Sequence, residues 1–165
     1  MTRTPITTAV VLLSCFLLTS NSAEAGKKGW KEADTIYPAA PKTKSLLLVE
    51  TPPTIRQKVY IDPVSLSREA DWVVRYTMVI ESSSGARSVF YEGIRCATEE
   101  YKSYAFLSDG KFITMQGQQW RKIPIFGIHI IRLTFMEYYF CNENNRARSA
   151  KEIIKKIKYP ENLSD

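Results

Sequence analysis

The sequence contains few of the residues from which catalytic and metal sites are usually built. Its 165 residues include one histidine, His129, and three cysteines that form no C-x-x-C pair. A zinc site takes three or four such ligands, so we expect no metal and no cofactor. No serine lies in a G-x-S-x-G motif, and His129 lies in an apolar run, where a structural role is commoner than general base catalysis. The residues therefore carry no catalytic signature.

The apolar run near the start of the chain is too short to cross a bilayer. It covers Ala9–Leu18, whereas a transmembrane helix needs about 20 residues. Arg3 is the only charge before it, and the polar stretch that follows ends in Ala23-Glu24-Ala25. This order is typical of a signal peptide. We predict that residues 1–25 are removed on export and that the protein is periplasmic.

A lipoprotein signal is the alternative for the same segment. Leu12-Leu13-Ser14-Cys15 is similar to a lipobox, in which Cys15 would become the lipidated first residue. The apolar region would then shrink to about eight residues, and apolar residues would follow the cysteine where polar linker residues are expected. We favour soluble export and keep a lipid-anchored envelope component as an alternative.

Charge is moderate and scattered along the chain. The net charge is +6 at pH 7, and the basic residues form no stripe or nucleic-acid-binding motif, so we expect no nucleic-acid partner. A composition with 44% apolar and 24% charged residues favours a folded chain, and the 140 residues from Gly26 suffice for one domain. We predict an extended, proline-containing lead-in at 26–57 and a single globular domain at 58–165. Within the lead-in, Leu46–Val49 is an edge strand or a hydrophobic latch.

Two cysteines remain once residues 1–25 are removed. Cys96 and Cys141 would lie in an oxidising compartment, where an even count predicts a disulfide. The bridge would close a loop of 46 residues, counting both cysteines. A reactive thiol is the alternative, because Arg95 beside Cys96 would lower the pKa of that thiol.

Alternating apolar residues predict a central hairpin. Lys58–Asp62 forms a short strand that Pro63 ends, and Trp72–Glu81 and Arg87–Cys96 are joined by a turn at Ser82–Ala86. The inner face carries apolar residues and the outer face polar ones, in the sets Val74, Tyr76, Met78, Ile80 and Arg75, Thr77, Glu81.

Charge complementarity at the turn predicts the register of this hairpin. If Glu81 faces Arg87, apolar residues meet apolar residues along both strands. The resulting pairs are Met78–Phe90, Tyr76–Glu92, Val74–Ile94 and Trp72–Cys96. Glu92 then falls on the inner face. A buried carboxylate needs a partner, so we predict a hydrogen bond from Tyr76, or from Arg75 or Arg95 reaching over the edge.

The remaining elements complete an α+β prediction. A second hairpin pairs Tyr101–Leu107 with Lys111–Met115 around Asp109-Gly110, and Trp120–Ile123 begins a loop or short strand. Residues 128–140 suit a strand by composition and a buried helix by length, and we favour the helix. We predict a single domain with an antiparallel sheet of four to six strands and one or two C-terminal helices.

The last helix begins at a capping box, Ser149-x-x-Glu152, and ends before Pro160. Its apolar stripe suits packing on the domain, while its lysines also allow weak contact with a membrane surface. The lysines are Lys151, Lys155, Lys156 and Lys158.

These segments resemble a known family. The resemblance is carried by the strings Lys58–Ser67, Val73–Ser82, Ser84–Arg87, Tyr91–Cys96, Gln119–Arg121 and Tyr139–Cys141. They are similar to the cryptic neisserial protein family of exported bacterial proteins, over roughly residues 46–158. The resemblance implies a Gram-negative envelope location and an exported single domain, and it implies no established activity. The chain departs from the family pattern at Trp72 and in the apolar run Ile125–Phe135, a candidate partner surface.

Four aromatic and cationic residues form the predicted ligand or partner surface, on one outer sheet face. Such mixtures suit sugars, carboxylates or peptides. Ordinary amphipathic surface is the alternative. The four are Tyr91, Arg95, Trp120 and Arg121.

The function that these observations favour is a non-enzymatic binding or accessory module of the cell envelope. Its partner would be an envelope protein or a small ligand. Adjacent carboxylates at Glu99-Glu100 keep open a small periplasmic hydrolase that works without histidine.

Overall fold

Seven antiparallel strands form one sheet, and six of them follow each other in chain order. The computed structural model describes residues 29–160, so the predicted signal peptide and Cys15 lie outside the described residues. From Lys31 onward the described residues form one compact unit, which carries every strand and helix described. The strands are β1 Leu47–Val49, β2 Lys58–Arg68, β3 Val73–Glu81, β4 Arg87–Arg95, β5 Glu100–Ser108, β6 Lys111–Thr114 and β7 Arg121–Lys122, which pairs with β5.

The hairpin of β3 and β4 has the predicted register. Glu81 lies opposite Arg87, and the next predicted pairs are present as well. Gly85 supplies the positive φ, 82°, that the turn requires. The pairing ends one step earlier than predicted, at Val73 and Arg95, because Trp72 has a φ of 62° and leaves the strand. The confirmed pairs are Met78–Phe90, Tyr76–Glu92 and Val74–Ile94.

The prediction that Pro63 ends the preceding strand is wrong. β2 runs on to Arg68, and its pairing with β3 is interrupted between Asp62 and Ser67. Side chains replace the missing ladder bonds there. Asp62 Oδ1 accepts a hydrogen bond from Val64 N at 3.2 Å, and Ser65 Oγ accepts one from Thr77 N at 3.0 Å. A proline without an N–H is tolerated at such a bulge.

The second hairpin is confirmed, with β5 and β6 paired from Ala105 and Thr114 to Ser108 and Lys111. Asp109 and Gly110 both have positive φ, 47° and 76°, as a two-residue hairpin turn requires. On its other side β5 pairs with β4, and a bulge lies between Tyr91 and Glu92.

The segment 127–140 is helical, as favoured from the sequence, but it is not one regular helix. A 3₁₀ turn at Gly127–His129 leads into α1, Ile130–Thr134, and the last turns are π-helical, Phe135–Phe140. The second helix, α2, covers Ala150–Lys158 and begins at the predicted capping box. No helix within residues 29–160 is long and apolar enough to cross a membrane.

The two helices pack on the inner face of the sheet, and a disulfide fixes the first one there. Ile131, Phe135 and Ile153 are buried against apolar residues of β2, β3 and β4. Cys96 and Cys141 form the predicted bridge, with their Cα atoms 5.6 Å apart. Together these elements confirm the α+β class, with a sheet that has more strands than the four to six expected.

The outer face of the central strand is buried as well, which the sequence pattern did not predict. All residues from Val73 to Val79 are buried, including Arg75 and Thr77 on the outer face. Arg75 is covered by the segment of residues 31–42, which contains no strand or helix. We call this segment the arm. After a 3₁₀ turn at Thr43–Ser45, the chain enters β1, which pairs with β2 at the edge of the sheet.

Candidate ligand-binding face

A carboxylate from the arm is held by three side chains on the outer face. Glu32 Oε2 accepts hydrogen bonds from Lys102 Nζ at 2.9 Å and Trp120 Nε1 at 3.1 Å. Glu32 Oε1 accepts one from the Tyr104 hydroxyl at 2.8 Å. We call Lys102, Tyr104 and Trp120 the carboxylate cradle. It combines one cation with two neutral donors on partly apolar rings, a mixture that binds carboxylates strongly.

The backbone of the next arm residue is bound on both sides by an ion pair. Ala33 N donates to Asp71 Oδ2 at 2.9 Å, and Arg75 Nη2 donates to the Ala33 carbonyl oxygen at 3.2 Å. Asp71 and Arg75 form a salt bridge of 2.6 Å, and both side chains are 2% exposed. We call this pair the backbone clamp. It recognises a main chain rather than a particular side chain.

A tyrosine of the arm occupies a third position on the same face. The Tyr37 ring lies edge-on to Tyr91 at 6.0 Å between centroids and tilted against Phe112 at 6.4 Å. Its hydroxyl donates to Thr114 Oγ1 at 3.0 Å. We call Tyr91 and Phe112 the aromatic seat. The tyrosine therefore gains ring contacts and a hydrogen bond at one place.

Hydrogen bonds keep two carboxylates ionised where the arm meets the sheet, Glu32 in the arm and Asp71 in the clamp. Burial raises the pKa of Glu32, but the hydrogen bonds from Lys102, Tyr104 and Trp120 outweigh it, so the pKa lies below its usual range. Burial likewise raises the pKa of Asp71, and hydrogen bonds from Arg75, Ala33 and Val73 lower it further than burial raises it. Because the pKa of each carboxyl is lower in the folded state, its ionised form stabilises the fold at pH values above its ordinary pKa. This contribution is lost as the pH falls through the lowered pKa. Both groups are ionised at neutral pH.

Comparison with known proteins assigns the chain that carries this face to a family. The model of the CNP1-like family matches residues 25–158, which include the arm, the whole sheet and both helices. The chain belongs to the CNP1-like family. The family is uncharacterised, so membership brings no activity with it. No curated protein and no solved structure gives a significant match.

In this CNP1-like protein, three of the four predicted surface residues lie on the outer face. Trp120 belongs to the cradle, and the Arg95 guanidinium lies 5.5 Å from its ring centre and pairs with Glu100 at 3.0 Å. Tyr91 is only 3% exposed because Tyr37 of the arm, together with sheet residues, packs around its ring. Arg121 instead lies opposite Tyr101, a core residue of the inner face, and stacks on its ring at 4.9 Å.

Several residues of this candidate face are not predicted from the sequence. The alternation along β5 predicts Lys102 and Tyr104 on the outer face. The neighbouring sequence gives no sign that they bind Glu32. Asp71 and Arg75 are four positions apart, and their spacing suggests an ion pair but not a bound backbone. The hydrogen bonds that join the arm to the sheet span from 38 to 88 positions. Sequence patterns carry little information about pairs so far apart.

A second network lies on the inner face of the CNP1-like sheet. Glu92 is fully buried, as predicted, and accepts hydrogen bonds from Tyr76 at 3.0 Å and Ser103 at 2.8 Å. Its cationic partner is Arg132, whose Nη2 and Nε lie 2.5 Å and 2.8 Å from the carboxylate oxygens. The partner is therefore neither of the predicted arginines, Arg75 and Arg95. Burial lowers the pKa of Arg132, and the charge of Glu92 more than reverses this. The network joins β3, β4, β5 and α1.

The other candidate catalytic groups do not converge. Glu100 pairs with Arg95, whereas Glu99 lies 3.5 Å from Lys122. His129 is half-buried beside Arg132, and burial and that charge both lower its pKa. Within residues 29–160, no group of three or more histidine, cysteine or carboxylate side chains is arranged to hold a metal ion.

Gly93 leaves room for the cradle, and replacing it tests that fit. A Cβ at Gly93 would lie 2.8 Å from the Tyr104 hydroxyl oxygen and 2.9 Å from Val73 Cγ1. We expect Gly93→Ala to lower the free energy of unfolding by about 1–3 kcal/mol, because it overpacks this face. Urea titration measures the change. Ser88→Ala, at an exposed position of the same strand, is the control and should change stability by less than about 0.5 kcal/mol. Equal effects of the two variants would contradict the close packing.

Proposed function

We propose that this protein is exported to the periplasm and acts there as a non-enzymatic binding or accessory module of the cell envelope. The observation that carries the proposal is the outer face, where the cradle, the clamp and the seat hold a carboxylate, a main chain and a ring. Sheet residues that only stabilise a fold need no such combination, whereas ligand sites combine apolar walls with a few oriented polar groups.

Two observations support the proposed compartment. The Cys96–Cys141 disulfide is a bond that persists in oxidising compartments such as the periplasm. The first 25 residues have the order of a signal peptide, with Arg3, the apolar run and Ala23-Glu24-Ala25. Both support export, and the Ala23-Glu24-Ala25 string supports a mature chain that begins at Gly26.

Cell fractionation with intact-mass measurement tests the location. We expect the full-length precursor, expressed in a Gram-negative host, to yield a periplasmic protein that starts at Gly26 and has no reactive thiol. A version lacking residues 1–25 is the control and should stay in the cytoplasm with reduced cysteines. A diacylglycerol adduct on Cys15 would replace soluble export by lipid anchoring, and a cytoplasmic, uncleaved chain would overturn the proposal.

Crosslinking in intact cells tests the binding role in the same strain. We expect crosslinked products of the exported protein that decrease when the outer face is altered by Lys102→Met and Trp120→Phe. Arg121→Met is the matched control, because Arg121 lies on the other face of the sheet. Products that persist unchanged in the altered protein would show that another surface binds the partner.

A further inference from the structure

The arm is held in the way that a bound peptide is held. Its contacts with the outer face are made through Glu32, the backbone of Ala33 and Tyr37. Between them Asp34 is exposed, and Ile36 is 84% exposed. The recognised pattern is therefore a glutamate, the main chain of the next residue, and a tyrosine five positions after the glutamate.

The side chains that hold the arm belong to the sheet and its turns, so they form a surface apart from the arm. Asp71 precedes β3, Arg75 lies within it, Lys102 and Tyr104 lie in β5, and Trp120 precedes β7. The arm itself adds no strand to the sheet. It is attached through side chains and through the backbone N–H and C=O of Ala33, so it can leave without breaking any strand pairing.

We propose that the outer face is a binding site for an extended peptide that carries this glutamate–tyrosine pattern, and that the arm occupies it as a displaceable internal ligand. The inference rests on the proposed function, which it deepens by naming the ligand class and its competitor. An extended acidic segment suits the site because the cradle presents a cation and two neutral donors to one carboxylate. The clamp then fixes the direction of the chain.

The arm regulates the site by its high local concentration. A segment tethered by a short linker competes at an effective concentration in the millimolar range. A peptide from elsewhere therefore binds well only when the arm is loosened or when the peptide is itself abundant. The wild-type protein should bind added peptide weakly, and a variant with a weakened arm should bind it more tightly.

Fluorescence anisotropy with a labelled peptide that copies residues 31–37 tests this directly. We expect the full chain carrying Glu32→Ala and Tyr37→Ala to bind the peptide at least about tenfold more tightly than wild type. A peptide with glutamine in place of its glutamate should bind at least about tenfold more weakly, since it loses the charge-assisted hydrogen bonds. Circular dichroism confirms that each variant is folded.

Changes on the sheet provide the matched controls. Lys102→Met with Trp120→Phe, added to the loosened chain, should abolish peptide binding, whereas Arg121→Met should leave it unchanged. A loosened chain that is folded and does not bind the peptide at 1 mM, a concentration of about the order of the tethered arm, would overturn the proposal and leave the arm as a structural strap.

Hydrogen exchange in the wild-type chain provides a second test that needs no arm variant. The Ala33 amide donates to Asp71, so displacement of the arm exposes it to solvent. We expect saturating peptide to speed exchange of this amide, and the glutamine peptide to have a smaller effect at the same concentration. Unchanged exchange at saturating peptide would contradict displacement.

The outcomes for the two proposals are separable. Peptide binding is measured on purified protein and does not depend on export, so a cytoplasmic location would overturn the proposed function alone. Cellular crosslinks with no peptide binding would overturn this inference alone. The occupant is a segment of a different envelope protein, because the arm of each copy already fills its own site. Light scattering tests this choice, since a dimer that the peptide dissociates would show arm exchange between copies and overturn it.

Discussion

Arg132→Met is expected to lower the free energy of unfolding by about 3–5 kcal/mol. The change removes the cation from a fully buried Glu92 and leaves an uncompensated charge between the sheet and α1. After the change, the only remaining hydrogen bonds from the described residues to the Glu92 carboxylate come from the hydroxyls of Tyr76 and Ser103, and neither hydroxyl carries a positive charge. Chemical denaturation monitored by tryptophan fluorescence measures the loss.

An exposed ion pair on the same hairpin is the matched control. Arg87 and Glu81 lie 2.7 Å apart, with side chains 36% and 16% exposed. Arg87→Met should cost no more than about 1 kcal/mol, because solvent screens an exposed pair. Similar losses for Arg87→Met and Arg132→Met would show that the buried pair has no special role.

Variants of the carboxylate distinguish charge from shape. Glu92→Gln should be milder than Glu92→Ala, because the amide keeps an acceptor and the side-chain volume. The double variant Glu92→Gln with Arg132→Met should be less damaging than the sum of the two single changes, since it removes both charges together. Strict additivity would mean that the two residues act independently.

Replacing both bridge cysteines with alanine is the second large effect that we expect. Cys96 and Cys141 are 45 positions apart, and chain entropy predicts a contribution of about 4 kcal/mol, within a usual range of about 2–5 kcal/mol. The bridge also holds the π-helical end of the first helix against the end of β4. Thermal and urea unfolding should both show the loss.

Reduction of the wild-type protein is the internal control for this variant. A thiol reductant should lower the stability of the wild type to that of the Cys96→Ala/Cys141→Ala protein and should leave the variant unaffected. Two reactive thiols in protein prepared from an oxidising compartment would refute a stable bridge. A reductant effect on the double variant would point to a different cause.

Local patterns predicted those parts of the fold that depend on local chemistry. The hairpin of β3 and β4 follows from alternating residues and the Glu81–Arg87 pair, and α2 follows from Ser149 and Glu152. The continuation of β2 past Pro63 depends on side chains that substitute for ladder bonds. A proline signal alone carries no information about them.

The candidate site was predicted less completely than the fold. Glu92 was placed on the inner face by register, but its partner Arg132 lies 40 positions away on a helix whose orientation no local pattern specifies. Arg121 was grouped with Arg95 because the alternation of a two-residue strand is too short to read from sequence. The alternation predicts Tyr91 on a surface, but Tyr104, Phe112 and Tyr37 of the arm pack around its ring, and the sequence does not reveal the path of the arm.

The arm is synthesised before every strand that binds it. Chains are made from the N-terminus, and the cradle is incomplete until Trp120 has been added, 88 positions after Glu32. Contacts over such distances form late because a long loop must first close. During this interval Glu32 and Tyr37 lack the side chains that hold them in the folded protein. We therefore expect the arm to dock late in folding, after the strands that hold it have paired.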